Sequence, residues 1–483
     1  MKILFLQDNG LNESLALTEL SSFLQKANHQ TNIFLEKEEK NDLFIKIKKY
    51  EPHLIFIPCS ILAHNWSLNL LKKIRKSSNV PIVLAGTHPT FYPNIIERED
   101  DVDIILLGEA EETTLELCEK LEAGKDITKI NNLWVKYKGN IYRNDLRPLI
   151  EDLDSLPLPD RELYYKYDFI RKFSWKKFMS GRGCVNSCSF CYQPLIREMY
   201  NRKGKYVRRK SPDRIILEIQ YLKNRYPLNI VHFSDDLFLS DLSWLEEFSP
   251  KYHNMINIPF SCNSSIEFLN KKSIQLLKEA GCRMISIGIE TGFENYRNKI
   301  LCKHITDEMI LKAAKLIKEA DITLVTFNMI GLPGENIEDA LKTLKMNIQI
   351  NANLARVNIT APIPNTKLAQ YALAEGFIDD WQNDIYSLPD LSELKPQFAI
   401  KSPFNKQMLN LYYLFSLIAK FPKLFPIAYF LINLPLNRLF KLLNYYYIYQ
   451  EKKIFKIGYW EGFIYYLHCG SPKNRTTNFV SLV

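Results

Sequence analysis

The segment Gly181–Pro194, GRGCVNSCSFCYQP, sets Cys184, Cys188 and Cys191 in a Cys-x3-Cys-x2-Cys spacing. Thiolates are soft ligands that select zinc, copper(I) or iron–sulfur clusters. A structural zinc takes four ligands, usually as two separated pairs. The other six of the nine cysteines (Cys59, Cys118, Cys262, Cys282, Cys302, Cys469) are scattered and offer no second pair. Two readings follow. One is a zinc site with His232 or Cys262 as fourth ligand. The other is a 4Fe–4S cluster in which one iron has no protein ligand and can bind a substrate.

Such a loop needs a rigid support, and the elements before it alternate in type. KILFLQ, NIFLE, HLIFIP, PIVLAG and VDIILLG, between Lys2 and Gly108, are continuous apolar runs. Runs of this kind suit strands buried on both faces. Leu17, Leu20 and Leu24, and then Leu68, Leu71 and Ile74, keep helical spacing between them. Strand and helix in alternation predict a flavodoxin-like, doubly wound parallel sheet, with ligands at the carboxyl ends of its strands. The loops of interest are Asp8–Glu13, Cys59–Trp66, Gly86–Tyr92 and Gly108–Thr113. NLWVKYKGNIYRND, Asn132–Asp145, reads as a hairpin, and the acidic, proline-containing EDLDSLPLPDREL after it reads as a linker.

A second alternating unit starts near Lys176. Ser211 and Pro212 open a helix, and strand candidates follow at NIVHFS, IPFSCN, MISIGI, TLVTFNMI and ARVNIT. About six β/α units fit the available length, fewer than the eight of a closed barrel, so a partial (β/α)6 TIM-like barrel is expected. From about Gln407 aromatic and aliphatic residues cluster. The longest uncharged piece, between Lys423 and Arg438, is shorter than the roughly 20 residues of a spanning helix. That region is expected to be helical and apolar, either as core helices against the barrel or as an interfacial lid. The expected divisions are 1–138, a hairpin and linker 139–170, a core 171–380 and a C-terminal region 381–483.

GCVNSCSFC resembles the signature of the radical S-adenosylmethionine superfamily, with Phe190 at the aromatic position before the last cysteine. The resemblance implies that Cys184, Cys188 and Cys191 hold a 4Fe–4S cluster whose open iron chelates S-adenosylmethionine. One-electron reduction then yields methionine and a 5′-deoxyadenosyl radical. HFSDDLF is similar to the segment that meets the amino group of S-adenosylmethionine, through Asp235 or Asp236. GIETG resembles the fourth-strand motif, with Glu290 toward the ribose or amino end. MIGLPGEN resembles the late-strand turn in which Gly331 and Pro333 bring backbone to the adenosyl group, and APIPNTKL the turn ending the barrel, with Asn365 in place of glycine.

LAGTHPTFYP and LLGEAEETTLEL resemble the cobalamin-binding domain joined to one branch of this superfamily. That implies contacts to cobalamin from Ser60, Gly86, His88, Gly108 and Glu109. No histidine here has Asp two residues before it, so the Asp-x-His-x-x-Gly motif that supplies a cobalt ligand is absent. FSCNSSIEFL also lacks the arginine that relatives often carry near Ser264 or Ser265.

Composition agrees with a reduced, globular enzyme. Of 483 residues 46% are apolar and 24% charged, and the odd, scattered cysteines are no secreted disulfide framework. MKILFLQDNG reads as a first strand and not as a signal peptide, so a cytoplasmic setting is expected, with membrane association through the C-terminal region as a variant. The net charge of +9 has one concentration, RKGKYVRRK (Arg202–Lys210), read as a solvated loop beside an anionic ligand and not as a nucleic-acid site. The leading expectation is a cobalamin-dependent enzyme that methylates an unactivated carbon of a small hydrophobic substrate. It would be driven by an external reductant such as flavodoxin or ferredoxin. An oxidative cyclase or rearrangement enzyme, and a non-catalytic iron–sulfur or corrinoid carrier, are the alternatives. A methylthiotransferase is disfavoured, because the N-terminal part has only Cys59 and Cys118 for a second cluster.

Overall fold

A computed structural model describes residues 1–10, 13–61, 64–379 and 399–443. The first sheet contains β1 (Lys2–Gln7), β2 (Gln30–Leu35), β3 (Leu54–Pro58), β4 (Ile82–Ala85) and β5 (Ile104–Leu106), all parallel. The hairpin β6 (Leu133–Tyr137) and β7 (Asn140–Arg143) adds to it antiparallel, in the order β2-β1-β3-β4-β5-β6-β7. Side-chain alternation explains why the apolar runs are continuous. Ile3, Phe5, Phe56 and Val83 pack with Leu17, Leu20, Leu24 and Leu117 on one face. Leu4, Leu6, Ile57 and Leu84 pack with Leu68, Leu71 and Ile74 on the other. Both faces are dry, as a doubly wound sheet requires. The order reverses between β1 and β3, so the ligand crevice lies outside their carboxyl ends.

The second sheet begins with β8 (Trp175–Phe178). A short antiparallel ribbon, β9 (Gly181–Arg182) with β10 (Arg208–Arg209), encloses the cysteine loop. The sheet continues with β11 (Ile230–Phe233), β12 (Phe260–Ser264), β13 (Cys282–Glu290), β14 (Thr323–Ile330) and β15 (Leu354–Ile359). All six strands are parallel in sequential order, with β8 and β15 at the edges, so the barrel is partial and open. Helices such as Pro212–Lys223, capped by Ser211, and Asp307–Glu319, capped by Thr306, cover its outer face.

Helix Asn405–Lys420 packs Met408, Leu411, Leu414, Phe415 and Ile418 into the core, against β15 and helix Ile337–Gln349. Ser416 Oγ donates to the Ala355 carbonyl at 2.5 Å. A 3-10 turn (Pro422–Ile427) and helix Ala428–Asn433 follow. Among the described residues no helix is long and apolar enough to cross a membrane. The last residue of the expected core, 380, and the remainder of the expected C-terminal region, 381–398 and 444–483 with Cys469, lie outside the described residues.

The basic run differs from expectation. Arg208 and Lys210 are buried, not solvated, and Arg208 pairs with Glu109 while Lys210 pairs with Glu19 and Glu218. Arg202 and Lys205 remain exposed, but the end of the run is buried where Glu109 after β5, Glu19 on helix Leu15–Lys26 and Glu218 on helix Pro212–Lys223 neutralise it.

Candidate active site

The cysteine loop leaves β9 through Gly183, whose φ of +89° is in the left-handed region. A side chain there would also come within 2.6 Å of the Tyr206 carbonyl. Two thiols receive backbone donors: Asn186 N–H to Cys184 Sγ and Gln193 N–H to Cys191 Sγ, both 3.4 Å. Burial pushes the Cys184 thiol up to about 11 and Cys191 up to about 12, and raises Cys188 as well. Ionising such thiols calls for a metal cation. Among the described residues no three His, Cys, Asp or Glu side chains close on one point as the ligands of a single ion would. Three thiols on one loop suit separate irons of a cluster. His232 is engaged with Ser261 at 2.8 Å, and Cys262 is buried in the core behind the sheet. Neither lines the thiol cavity.

That cavity, about 230 Å³, is at the carboxyl ends of β11–β14. The three cysteines, Phe190, Asp236 and Glu290 all line it, as do Asn263, Ser264, Ser265, Ser286, Gly288 and Phe327. Its two adjacent aspartates have separate tasks. Asp235 accepts Ser180 N–H at 3.0 Å and Ser180 Oγ–H at 2.7 Å, and it does not line the cavity. Asp236 accepts a hydrogen bond from Gln193 Nε2, and burial followed by the charge of Asp235 raises it to about 7. A desolvated carboxyl with one neutral donor gains from a cation.

Glu290 has a φ of +65°, where β13 shifts register against β14. Its carboxylate pairs with Lys303 Nζ at 2.8 Å, and that ammonium sits 5.9 Å from the centre of the Phe190 ring. Gly288 makes room for the pair, since a side chain there would lie 2.1 Å from Glu290 Oε1. Strained, buried and charged groups of this kind concentrate at functional sites. Lys303 was not singled out from the sequence; its lone position in LCKHIT carries no pattern. Gln193 was missed for the same reason.

Gly331 and Pro333 are not brought into the cavity. Gly331 N–H and Leu332 N–H donate to Glu335 Oε2 at 2.6 and 3.1 Å, and Pro333 O accepts from Tyr296 Oη at 2.7 Å. Asn365 adopts a φ of +62°, the conformation glycine would take, and its amide donates to the Phe91 carbonyl at 2.9 Å.

The first sheet turns its carboxyl ends toward the cysteine loop. Phe91 meets Tyr192 with ring centroids 6.0 Å apart, and Glu109 N–H donates to Tyr200 Oη at 3.0 Å. Gly86, at φ +118°, would place a side chain 2.8 Å from the Cys59 carbonyl, so the loops after β3 and β4 come together only because it is glycine. Ser60 is half-buried on the loop after β3. His88 is fully buried and stacked on His64, 4.7 Å away; its ring nitrogens take no hydrogen bond, and burial lowers it to about 3. Gly108 is covered by Tyr200, and the Glu109 carboxylate is held by Arg208 at 2.6 Å and Arg182 at 3.2 Å. Of the five expected cobalamin contacts, Ser60 and Gly86 therefore keep accessible surface, while His88 is buried, Gly108 is covered by Tyr200 and Glu109 is ion-paired.

A family model of the radical SAM superfamily matches residues 178–346, and a B12-binding domain model matches residues 1–118. The chain carries a radical SAM domain joined to a B12-binding domain. Its relatives include an uncharacterized methyltransferase of Pyrococcus horikoshii, 29% identical over 70% of this chain and 73% of the relative. Another is a cytidylyl-2-hydroxyethylphosphonate methyltransferase of Streptomyces wedmorensis, 20% identical over 77% and 78%. Among solved structures, the cobalamin-dependent S-adenosylmethionine radical enzyme OxsB shares the fold, with a TM-score of 0.70 and 14% identity over 94% of this chain and 72% of that one. The protein is thus a radical SAM enzyme whose cofactors are a 4Fe–4S cluster, S-adenosylmethionine and cobalamin. The thiol loop with its N–H···S donors fits the cluster, the Asp236-lined cavity fits an ammonium, and the glycine-dependent apposition at Gly86 fits a ligand across β3 and β4.

Proposed function

We propose that the protein is a methyltransferase acting on an unactivated carbon, with Cys184, Cys188 and Cys191 holding the cluster. In this reading Asp236 receives the ammonium of S-adenosylmethionine, while the Glu290–Lys303 pair and Phe190 shape the adjoining wall. When bound, the cluster and S-adenosylmethionine supply radical chemistry and cobalamin supplies the methyl group. The chain's own groups orient and desolvate: Gln193 holds Asp236, Ser180 holds Asp235 behind it, and Phe190 and Phe327 exclude water.

The single observation that supports this reading is the meeting of two features. The three thiols, Asp236 and Glu290 line one cavity, and the loops of the B12-binding sheet abut the same cysteine loop. Anaerobically reconstituted protein is expected to form 5′-deoxyadenosine and to place labelled methyl from S-adenosylmethionine in product. Cys188→Ala is expected to abolish both. Survival of 5′-deoxyadenosine formation in that variant would overturn the assignment of the thiols; turnover without label in product would overturn methyl transfer.

A hydrophobic substrate belongs to the same proposal. The apolar face of helix Asn405–Lys420 is committed to the barrel, so what supports an apolar substrate is the surface after it, where Phe421, Ile427, Tyr429 and Phe430 are exposed. The same surface supports peripheral membrane contact.

A further inference from the structure

The segment that leads into β10, residues 201–207, is tied to the first sheet and to the chain after its hairpin at both ends. Just before it, the Tyr200 hydroxyl accepts Glu109 N–H at 3.0 Å. Within it, Lys203 O accepts Leu149 N–H and Lys203 Nζ donates to the Leu146 carbonyl, both at 2.7 Å. Just after it, the Arg208 guanidinium holds the Glu109 carboxylate and the Ile150 carbonyl, each at 2.6 Å. From between these ties Tyr206 reaches toward the thiol cavity. Its hydroxyl donates to Gln193 Oε1, and Gln193 Nε2 donates to Asp236 Oδ2. Gln193 and Asp236 line the cavity, whereas Tyr206 does not.

Gln193 is 3% exposed, so both ends of its amide must find partners within the protein. A side-chain amide has a donor end and an acceptor end of nearly the same shape, so only its neighbours decide which way it faces. Here the neighbours differ. An ionised carboxylate only accepts, and it takes the NH2 end. The oxygen end then needs a donor, which Tyr206 supplies. Burial, followed by the charge of Asp236, raises the Tyr206 hydroxyl above its ordinary value, so it keeps the proton it donates. Tyr192 lies near the same amide, but the hydrogen bond to the amide oxygen comes from Tyr206.

We infer that Tyr206 is a positioning residue for S-adenosylmethionine: by fixing the Gln193 amide it fixes how the Asp236 carboxylate faces the cavity. This rests on Asp236 receiving the ammonium. Without the hydroxyl, the amide oxygen is left buried and unpaired, and the group that holds Asp236 has two orientations to choose from in place of one. The first sheet thereby takes part in binding S-adenosylmethionine without touching it, through a segment that it anchors.

Full-length, anaerobically reconstituted protein is titrated with S-adenosylmethionine, without turnover. Calorimetry is expected to show about three- to tenfold weaker binding in Tyr206→Phe, the size of one net hydrogen bond. The same substitution in a Gln193→Ala background should have no further effect, because the hydroxyl acts through that amide. The paramagnetic signal of the reduced cluster in Tyr206→Phe should match wild type without ligand, and should need correspondingly more S-adenosylmethionine to change. Wild-type affinity in Tyr206→Phe, or an equal loss in the wild-type and Gln193→Ala backgrounds, would overturn the role of the tyrosine. Loss of the ligand-free cluster signal in Tyr206→Phe would also overturn it, making the residue a support of the cysteine loop. Asp236→Asn separates this from the reading beneath it. If that variant binds as wild type does, the assignment of the ammonium fails; if it binds weakly while Tyr206→Phe does not, only the tyrosine's role fails.

Discussion

At the scale of single residues, the neighbouring aspartates separate structure from chemistry. Asp235 is an acceptor that three contacts from Ser180 define, whereas Asp236 faces the cavity with one amide donor. Asp235→Asn would turn a donor toward Ser180 N–H or remove an acceptor, at a cost of about 1–3 kcal/mol, and should lower the unfolding temperature. Asp236→Asn removes a buried carboxyl that has no cationic partner among the described residues. It should leave stability unchanged or slightly higher while weakening S-adenosylmethionine by about tenfold or more, since charge-assisted hydrogen bonds contribute about 1.5–3 kcal/mol. Thermal unfolding and calorimetry on reconstituted variants check both. Equal losses of affinity in the two variants would remove the division of labour.

At the scale of elements, the chain after Lys420 is the part whose exposure is unexplained by packing. Tyr429, Phe430 and Leu442 are each more than 60% exposed, and Leu436 and Leu439 are also on the surface. No acidic residue occurs between Asn405 and Leu443, while Lys406, Lys420, Lys423, Arg438 and Lys441 do. Apolar side chains interleaved with cations suit an anionic lipid surface. The protein should therefore co-sediment with phosphatidylglycerol vesicles more than with phosphatidylcholine vesicles, and Tyr429→Ser with Phe430→Ser should reduce this severalfold. Indifference to lipid charge or to the substitutions would refute membrane contact. The elements themselves were largely legible. KILFLQ and TLVTFNMI are strands over the predicted residues, and the other strands shift by one or two. Both-face burial leaves a continuous apolar signal that periodicity reads well. The cysteine spacing identified the thiol cavity because ligands from one loop are local in sequence. Lys303 was not legible, because it reaches Glu290 and the cavity from a loop far from the cysteines in sequence. The buried state of Arg208 and Lys210 was misread for a related reason: their carboxylate partners lie as far away as Glu19 and Glu109.

At the scale of the whole molecule, those carboxylates join the two sheets. Arg182 reaches Glu19 at 2.6 Å, Glu111 at 2.5 Å and Glu109 at 3.2 Å, while Lys210 bridges Glu19 and Glu218 at 2.8 and 3.0 Å. Arg182 and Lys210 flank the ribbon that encloses the cysteine loop, so the network fixes the loop against the B12-binding sheet. Burial alone would raise Glu19, but Lys210 and Arg182 bring it down to about 2. A carboxylate held below its unfolded value of 4.5 stabilises the fold above that pH and loses the contribution as pH falls from 4.5 toward 2. Arg182→Met leaves Glu19 and Glu111 buried with less compensation, which costs about 3–5 kcal/mol when one partner of a buried pair is removed. The variant should unfold at lower temperature at neutral pH and show faster amide exchange in Gly181–Arg182 and Arg208–Arg209. Glu19→Gln should flatten the fall in stability on acidification, because the group that titrates there is gone. Unfolding curves collected from pH 7 down to about pH 3 check the slope. An unaltered acid limb in Glu19→Gln, together with wild-type exchange in Arg182→Met, would mean that the sheets are held by apolar packing and that the ion network is incidental to the position of the cysteines.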